Sequence, residues 1–195
     1  MANAIANHEA RELDAGGRGS LPRFADRRDA GRRLAALLED LRDQDPVVLG
    51  LIRGGVVVAD EVARALGAPL DVLLVRKIGY PWQPELAAGA IAEGDAVYPP
   101  ELEQLASGER EDSELSGVMR SKRAELLEKG ERFRRGRPPL ELHGRTAIVV
   151  DDGVATGSTL CAALIAASRL GAERVVAGVP IASSEGADRA GAFCD

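Results

Sequence analysis

The most informative segment of the chain is Ile148-Val149-Val150-Asp151-Asp152-Gly153-Val154-Ala155-Thr156-Gly157-Ser158-Thr159-Leu160. Its start belongs to an apolar run at 146–150, and such a run predicts a strand buried on both faces. Two acids follow directly, and a short loop then leads into a helix predicted over 158–170. The amides in the first turn of a helix lack partners and, together with the helix dipole, favour an anion. A strand, an acid pair and an anion site are therefore predicted side by side.

Two ligand chemistries meet in this stretch. Gly157 lets the backbone approach a phosphate closely, and the loop hydroxyls add hydrogen-bond donors. The acid pair Asp151–Asp152 would repel a phosphate, but it is suited to the vicinal hydroxyls of a sugar or to Mg²⁺. Phosphate donors beside sugar acceptors predict a 5-phosphosugar ligand. The hydroxyl donors are Thr156, Ser158 and Thr159.

Similar strand and helix signals surround this stretch. Apolar runs at 47–52, 70–76 and 174–181 predict further buried strands. Helical stripes predict one helix over 26–42 with Asp26 as its N-cap, and another from Val58 to Leu66 that Gly67 ends. Alternating strands and helices predict an α/β fold with a parallel sheet, in which ligands bind beyond the carboxyl ends of the strands. Those ends carry Arg53-Gly54-Gly55, Arg76-Lys77, Asp151-Asp152 and Pro180.

An insertion at about 77–140 separates the second strand from the third. Four prolines and several glycines predict a mobile loop over 77–100, with a hairpin around Ala87–Ile91 and Asp95–Tyr98. A helix is predicted over 113–135. An insertion of this length is more often a lid than an idle loop. Within it, Glu85 and Glu93 are candidates to serve an acceptor base, and the single tryptophan, Trp82, could contact a base or a partner.

Composition narrows the class of protein. The chain has 195 residues, which indicates one domain, predicted as 23–195 after a flexible tail at 1–22. Its net charge of −6 argues against a general nucleic-acid coat, although a local basic pocket is compatible with it. Two cysteines and two histidines are too few for a zinc cage or a disulfide framework. No membrane span or secretory signal is present, so we expect a cytoplasmic protein without a membrane partner.

The 148–160 stretch resembles the phosphoribosyl-pyrophosphate motif of type I phosphoribosyltransferases, which is an apolar strand, two acids and Ala/Asp-Thr-Gly-x-Thr. No lysine follows the glycine, so the stretch does not match a Walker A loop. The resemblance covers about residues 24–195, and 76–94 looks like a bacterial subgroup whose acceptor is not generally assigned. It implies a parallel-sheet fold flanked by helices, an inserted lid or helical segment, and a short or missing hood.

The resemblance also implies an activity and a set of site residues. The reaction is Mg²⁺-dependent phosphoribosyl transfer from phosphoribosyl pyrophosphate to a nucleobase-like nitrogen acceptor, with release of pyrophosphate, as in purine or pyrimidine salvage. It implies a pyrophosphate loop at 52–55, in which the Ile52–Arg53 bond is the candidate for a cis peptide. The implied catalytic residues are Asp151, Asp152, Arg53 and Lys77, and the two aspartates are also the metal ligands. The implied donor-binding residues are Ile52, Arg53, Gly54, Gly55, Arg76, Lys77, Asp151, Asp152, Gly153, Ala155, Thr156, Gly157, Ser158 and Thr159.

Departures from the family pattern leave other interpretations open. Ala155 stands where 6-oxopurine enzymes carry an aspartate, and adenine-type enzymes also carry alanine there. The chain stops at Asp195, soon after Pro180, so base selection could be weak or supplied by the insertion. An alternative is a non-catalytic regulator that binds the donor or a nucleotide, and RNA through the basic run at 120–137. A solvated helix face with i,i+3 and i,i+4 charge pairs is the favoured explanation of that run. The fold usually forms dimers, so a homodimer is expected.

Overall fold

The computed structural model describes residues 24–80, 82–99, 102 and 114–195, together with the backbone of 12–13 and 19–20. The predicted tail at 1–22 therefore lies outside the described residues, apart from one short pairing. In that pairing, β1 (Glu12–Leu13) runs antiparallel to β2 (Gly19–Ser20).

Four parallel strands form the core sheet, which confirms the predicted fold class. They are β3 (Pro46–Leu51), β4 (Leu70–Leu73), β8 (Thr146–Val150) and β9 (Arg174–Gly178), in the order β4-β3-β8-β9. The chain leaves β3 toward β4 on one side and leaves β8 toward β9 on the other. The direction of winding thus changes between β3 and β8, where Gly50 lies opposite Val150. A crevice for a ligand opens beyond the carboxyl ends of strands at such a switch point.

Helices α1 (Arg27–Leu37) and α2 (Gly54–Leu66) cover one face of the core sheet. Asp26 caps α1 as predicted, because its carboxylate accepts from the amide of Asp29 at 2.8 Å. A 3-10 turn (Glu39–Leu41) follows α1. Gly67, with φ of 66°, ends α2 in the left-handed conformation that glycine adopts without steric cost.

The insertion contains a second sheet, so the predicted mobile loop over 77–100 is wrong for most of its length. This sheet is antiparallel, in the order β5 (Val75–Tyr80), β6 (Gln83–Ala92) and β7 (Val97–Tyr98), with a 3-10 turn (Glu93–Asp95) before β7. The hairpin prediction is confirmed by the pairs Ala90–Tyr98 and Ile91–Val97. The predicted strand over 70–76 is divided at Leu74, whose amide donates to the Glu93 carboxylate at 3.0 Å. The chain leaves the core sheet at that point.

Helix α3 (Glu114–Arg134) covers the outer face of the antiparallel sheet, in agreement with the helix predicted over 113–135. Helix α4 (Ser158–Arg169) lies between the two sheets and packs on both. A helix that is apolar nearly all round belongs in such a buried position. Small side chains on α4 suit it, and Cys161 is fully buried among them. The last helix is α5 (Ser184–Gly191). None of the helices in the described ranges has the length and hydropathy that crossing a bilayer requires.

A buried ion-pair network joins α3 to the edge of the core sheet. The Arg134 guanidinium, whose side chain is 7% exposed, donates to Glu93 at 2.7 Å and to Asp71 at 3.1 Å. It also donates to the carbonyl of Val72 at 2.7 Å. The hydrogen bond to Glu93 is the main reason why the pKa of Arg134 is raised above its ordinary value. One cation of the basic run is therefore structural, and Glu93 is its partner and not a free base for an acceptor.

Replacing Arg134 tests this network. Arg134→Ala leaves the Asp71 and Glu93 carboxylates buried without their partner, so the free energy of unfolding should fall by about 3–5 kcal/mol. Urea denaturation followed by circular dichroism measures the change. Arg132→Ala, an exposed arginine on the same helix, is the matched control and should stay within about 0.5 kcal/mol of the parent. Equal stability of the two variants would contradict the structural role of Arg134.

Candidate active site

Two loops meet beyond the carboxyl ends of β3 and β8. Because these strands are neighbours in register, the residues that follow them, 52–55 and 151–157, lie side by side. The peptide bond between Ile52 and Arg53 is cis, as the resemblance implied. Each loop leads into a helix, so the amino-terminal ends of α2 and α4 both begin at this crevice. Two helix termini favour negative charge at one place.

Glycine is required where the loops touch. A Cβ atom on Gly54 would overlap the Asp152 carboxylate. A Cβ on Gly55 would lie 2.6 Å from the carbonyl oxygen of Val150 and 2.9 Å from the Cα of Asp151, closer than real Cβ contacts come. The glycine pair predicted as a pyrophosphate loop is therefore in direct contact with the acid pair. The structure brings these two predicted segments together.

The amino terminus of α4 is open to a ligand. Gly157 precedes the helix with φ of 81° and, as a glycine, supplies no side-chain cap to this end. Ser158 and Thr159 are partly exposed in the first turn, and Ala155 and Thr156 are exposed in the loop before it. An uncapped first turn retains amide donors that an anion can accept.

A segment after β9 braces this loop, and sequence reasoning missed it. The amide of Val154 donates to the carbonyl of Ile181 at 2.9 Å, and the amide of Ser183 returns a bond to Val154 at 2.9 Å. The Ser183 hydroxyl donates to the carbonyl of Ala155 and also accepts from the amide of Gly186 at 2.9 Å. Arg189 donates to the carbonyl of Thr156 at 3.2 Å. Ser183 is an N-cap of α5, which is the one local signal that could have drawn attention to it.

Comparison with known proteins agrees with this geometry. Residues 24–192 match the family described as the phosphoribosyl transferase domain. The chain belongs to the phosphoribosyl transferase family.

Relatives of this phosphoribosyl transferase domain support the assignment. Two Mycobacterium tuberculosis proteins provisionally named phosphoribosyl transferases, Rv0571c and MT0597, are each 48% identical to it over 172 residues. The match covers 88% of this chain and 39% of theirs, so the chain spans about two fifths of the length of these relatives. A solved structure, TT1426 from Thermus thermophilus, is 47% identical with a TM-score of 0.74, over 89% of this chain and 82% of that one.

The predicted basic residues of the phosphoribosyl transferase domain do not all face the same way. Arg53 is exposed at the start of α2. Lys77 is exposed and pairs with Ala90, which packs in the core that includes α4. Arg76 lies on the opposite face of β5, where its Nε is 3.6 Å from Glu125 of α3 and its Nη1 donates to the carbonyl of Val75 at 3.2 Å. Alternation along the strand therefore separates Arg76 from the face that carries Lys77.

One charged residue of the site was not predicted. Arg27, the first residue of α1, donates from Nε to the Oδ2 atom of Asp152 at 2.7 Å. The two residues are 125 positions apart in the chain, so no local pattern connects them.

The surroundings of the acid pair disfavour the ionised form of Asp151. Burial raises the pKa of the Asp151 carboxyl from 3.8 to about 7, and the nearby Asp152 carboxylate adds to the rise. The amide of Asp152, which donates to Asp151 Oδ1 at 2.9 Å, opposes it. A ligand that supplies positive charge or hydroxyl donors would relieve this cost.

The close contact at Gly54 gives a test. Gly54→Ala should displace the Asp152 carboxylate and so abolish binding of an anionic ligand at the crevice, while the sheet stays folded. Calorimetric titration with pyrophosphate and Mg²⁺, together with the melting temperature, measures both effects. Gly117→Ala is the matched control, since a Cβ there meets nothing within 4 Å and the change should raise helix stability by about 0.5–1 kcal/mol. Undiminished binding by Gly54→Ala would contradict the contact.

The raised pKa of the partly buried Asp151 predicts a pH dependence of stability. Between about pH 4 and pH 7 the folded protein keeps a proton on Asp151 that the unfolded chain releases, so this group lowers the free energy of unfolding as the pH rises. Asp151→Asn removes the effect, and its stability relative to the parent should increase from pH 4 to 7 and level off above. Urea denaturation at several pH values measures this difference, with the exposed Asp188→Asn as a control for charge removal. A difference that is independent of pH would refute the raised pKa.

Proposed function

We propose that this domain transfers a phosphoribosyl group from phosphoribosyl pyrophosphate to a nucleobase-like nitrogen acceptor, with Mg²⁺ and with release of pyrophosphate. One observation carries the proposal, namely the contact of the Gly54–Gly55 loop with the Asp151–Asp152 pair. A glycine loop at one helix terminus, an acid pair and a second open helix terminus match a ligand with a diphosphate, a ribose and a 5-phosphate. An acid pair that bound only a metal or a sugar would have no need of the second anion site at the amino terminus of α4.

Each part of the donor has a complementary group in the crevice. The open first turn of α4, with Ser158 and Thr159, suits the 5-phosphate. The acids suit the ribose hydroxyls, which donate hydrogen bonds to carboxylates. Arg53 and the first turn of α2 suit the diphosphate, whose charge a guanidinium and helix amides neutralise. Lys77 is the candidate to approach the same group from the insertion. Arg76, on the other face of β5, is no longer a good candidate.

The residues present are compatible with Mg²⁺. No cluster of three or more His, Cys, Asp or Glu side chains occurs among the residues the structure describes, which is unlike a protein cage for a metal. Mg²⁺ usually binds through one or two carboxylates together with substrate oxygens, and Asp151 and Asp152 supply such a pair. When bound, the ion would neutralise charge on the diphosphate.

The chemistry requires positioning more than covalent participation. The bond from C1 of the ribose to the diphosphate oxygen breaks, and a bond from the acceptor nitrogen to C1 forms. The acceptor's nitrogen-bound proton leaves to solvent or a nearby base. Positive charge develops on the ribose and negative charge on the leaving group. Arg53 and the α2 amides stabilise the leaving group, and the fixed acid pair orients the ribose. Exclusion of water by the insertion would protect the donor from hydrolysis.

Several finer points belong to the proposal. The acceptor is a base with a reactive ring nitrogen, and the setting is nucleotide salvage in the cytoplasm. The rings of Tyr80 and Trp82 lie at the tip of the β5–β6 hairpin, with their centroids 4.9 Å apart. Trp82 is 75% exposed, so its ring is accessible to an acceptor base, and this supports a role for the insertion in binding the acceptor. The proposed protein is a homodimer that has neither a nucleic-acid partner nor a membrane partner. Its domain spans residues 23–195.

Donor binding tests the proposal first. Phosphoribosyl pyrophosphate with Mg²⁺ at about 100 times its Kd should stabilise the chain by about 2.7 kcal/mol, a shift in Tm of roughly 5–10 °C. The double variant Asp151→Asn/Asp152→Asn should lose the shift, because it removes the groups that orient the ribose. Asp40→Asn/Asp43→Asn makes the same change in charge at exposed positions before β3 and should keep it.

A base panel then tests turnover. Pyrophosphate release in the presence of purine and pyrimidine bases should occur with at least one acceptor. Binding without release from any acceptor would favour the regulator instead, and no shift in Tm at millimolar donor would overturn the proposal.

A further inference from the structure

We propose that Arg27 is a further donor-binding residue, which rests on the function proposed above. Its Nε atom holds the Asp152 carboxylate in place, and its two Nη groups take an oxygen of the donor's diphosphate. The residue lies on α1, outside the loops that carry the predicted site.

Arg27 contacts the acid pair at the point where the glycine loop also touches it. Nε donates to Asp152 Oδ2 at 2.7 Å, and that same oxygen is the atom a Cβ on Gly54 would overlap most severely. The guanidinium, the acid pair and the glycine loop therefore meet at one point. A ligand anion seated on the Gly54–Gly55 loop lies within reach of Arg27.

The second support is that the backbone of Arg27 is rigidly attached to the site. Asp26 caps the helix directly before it. One turn later, Gly31 packs so closely on α2 that a Cβ would lie 2.8 Å from the carbonyl oxygen of Val58. Arg28 adds an ion pair to Glu61 of α2 at 2.8 Å. Since α2 begins at Gly54, the start of α1 keeps a constant position relative to the glycine loop.

The third support is the unused hydrogen-bonding capacity of Arg27. Among the described residues, Nε is the only atom of this side chain that makes a hydrogen bond, and the side chain is 60% exposed. A guanidinium carries five N–H donors, so the described residues leave four of them for a ligand. Arginine forms paired hydrogen bonds with phosphate oxygens, and its charge also offsets the repulsion between the acid pair and an incoming diphosphate.

The same contact has a competing interpretation, in which the Arg27 guanidinium binds Asp152 where Mg²⁺ would otherwise bind. The two interpretations predict opposite effects of removing the side chain. Loss of a donor ligand weakens binding of pyrophosphate, whereas loss of a competitor strengthens binding of Mg²⁺ with pyrophosphate.

The experiment is calorimetric titration of the whole chain with pyrophosphate at fixed Mg²⁺, with phosphoribosyl pyrophosphate and with ribose 5-phosphate. Arg27→Ala should raise the Kd for the two diphosphates by about 10- to 100-fold, the effect of losing hydrogen bonds to a charged group, and should change ribose 5-phosphate binding less. Arg27→Lys keeps the charge but loses the paired geometry, so its Kd should lie between those of Arg27→Ala and the parent. The control is Arg32→Ala, which removes an exposed arginine whose ion pair with Asp29 stays within α1, and this variant should bind like the parent.

The outcomes separate the two proposals. An exposed ion pair contributes little to stability, so Arg27→Ala should fold, and its Tm verifies this. Parent-like or tighter binding of pyrophosphate by Arg27→Ala, while the parent binds the donor, overturns the role of Arg27 alone. Absence of donor binding by the parent overturns the proposed function and this inference with it.

Discussion

The parallel pairing of β3 with β8 is the constraint on which the site depends. With Gly50 opposite Val150, the two strands end at the same level, and the loops that follow must share one small space. Only glycine fits at positions 54 and 55 under that restriction, since any Cβ would meet the Asp152 carboxylate or the Val150 carbonyl. Helices α2 and α4 begin directly after these loops, so their amino termini flank the acid pair. A register change of one residue would move every group of the site.

The insertion is an integral part of the fold at its base. Ala90 and Ala92 of the antiparallel sheet, and Ala96 directly before β7, are buried with α4, which is therefore covered on both sides. The Arg134 network with Asp71 and Glu93 then ties α3 to the edge of the core sheet. These contacts limit any lid movement to the part of the insertion beyond them, which includes the hairpin tip with Trp82.

The acid pair shows a conflict between stability and function. Asp151 is partly buried beside a second carboxylate, and this raises its pKa to about 7. In a site without ligand such an arrangement lowers stability, and it persists because the sheet and the braced loop hold it in place. Arg27 offsets part of the charge from a helix distant in sequence. Groups that destabilise the empty protein are thus the groups that a cationic or hydroxyl-bearing ligand would satisfy.

Three features could be predicted without the structure: the strand–acid–loop–helix unit at 148–160, the helices with their caps at Asp26 and Gly67, and the glycine loop at 52–55. These features depend on hydrophobic periodicity and on backbone conformations that the residues of a short segment specify by themselves. Contacts between distant segments divide the strand predicted over 70–76 at Leu74, place Arg76 beside Glu125 of α3 and bury Arg134. They also place Arg27 on Asp152. Each of these depends on a partner far away in the chain, and a local pattern cannot specify a contact whose other half lies 19 to 125 residues distant.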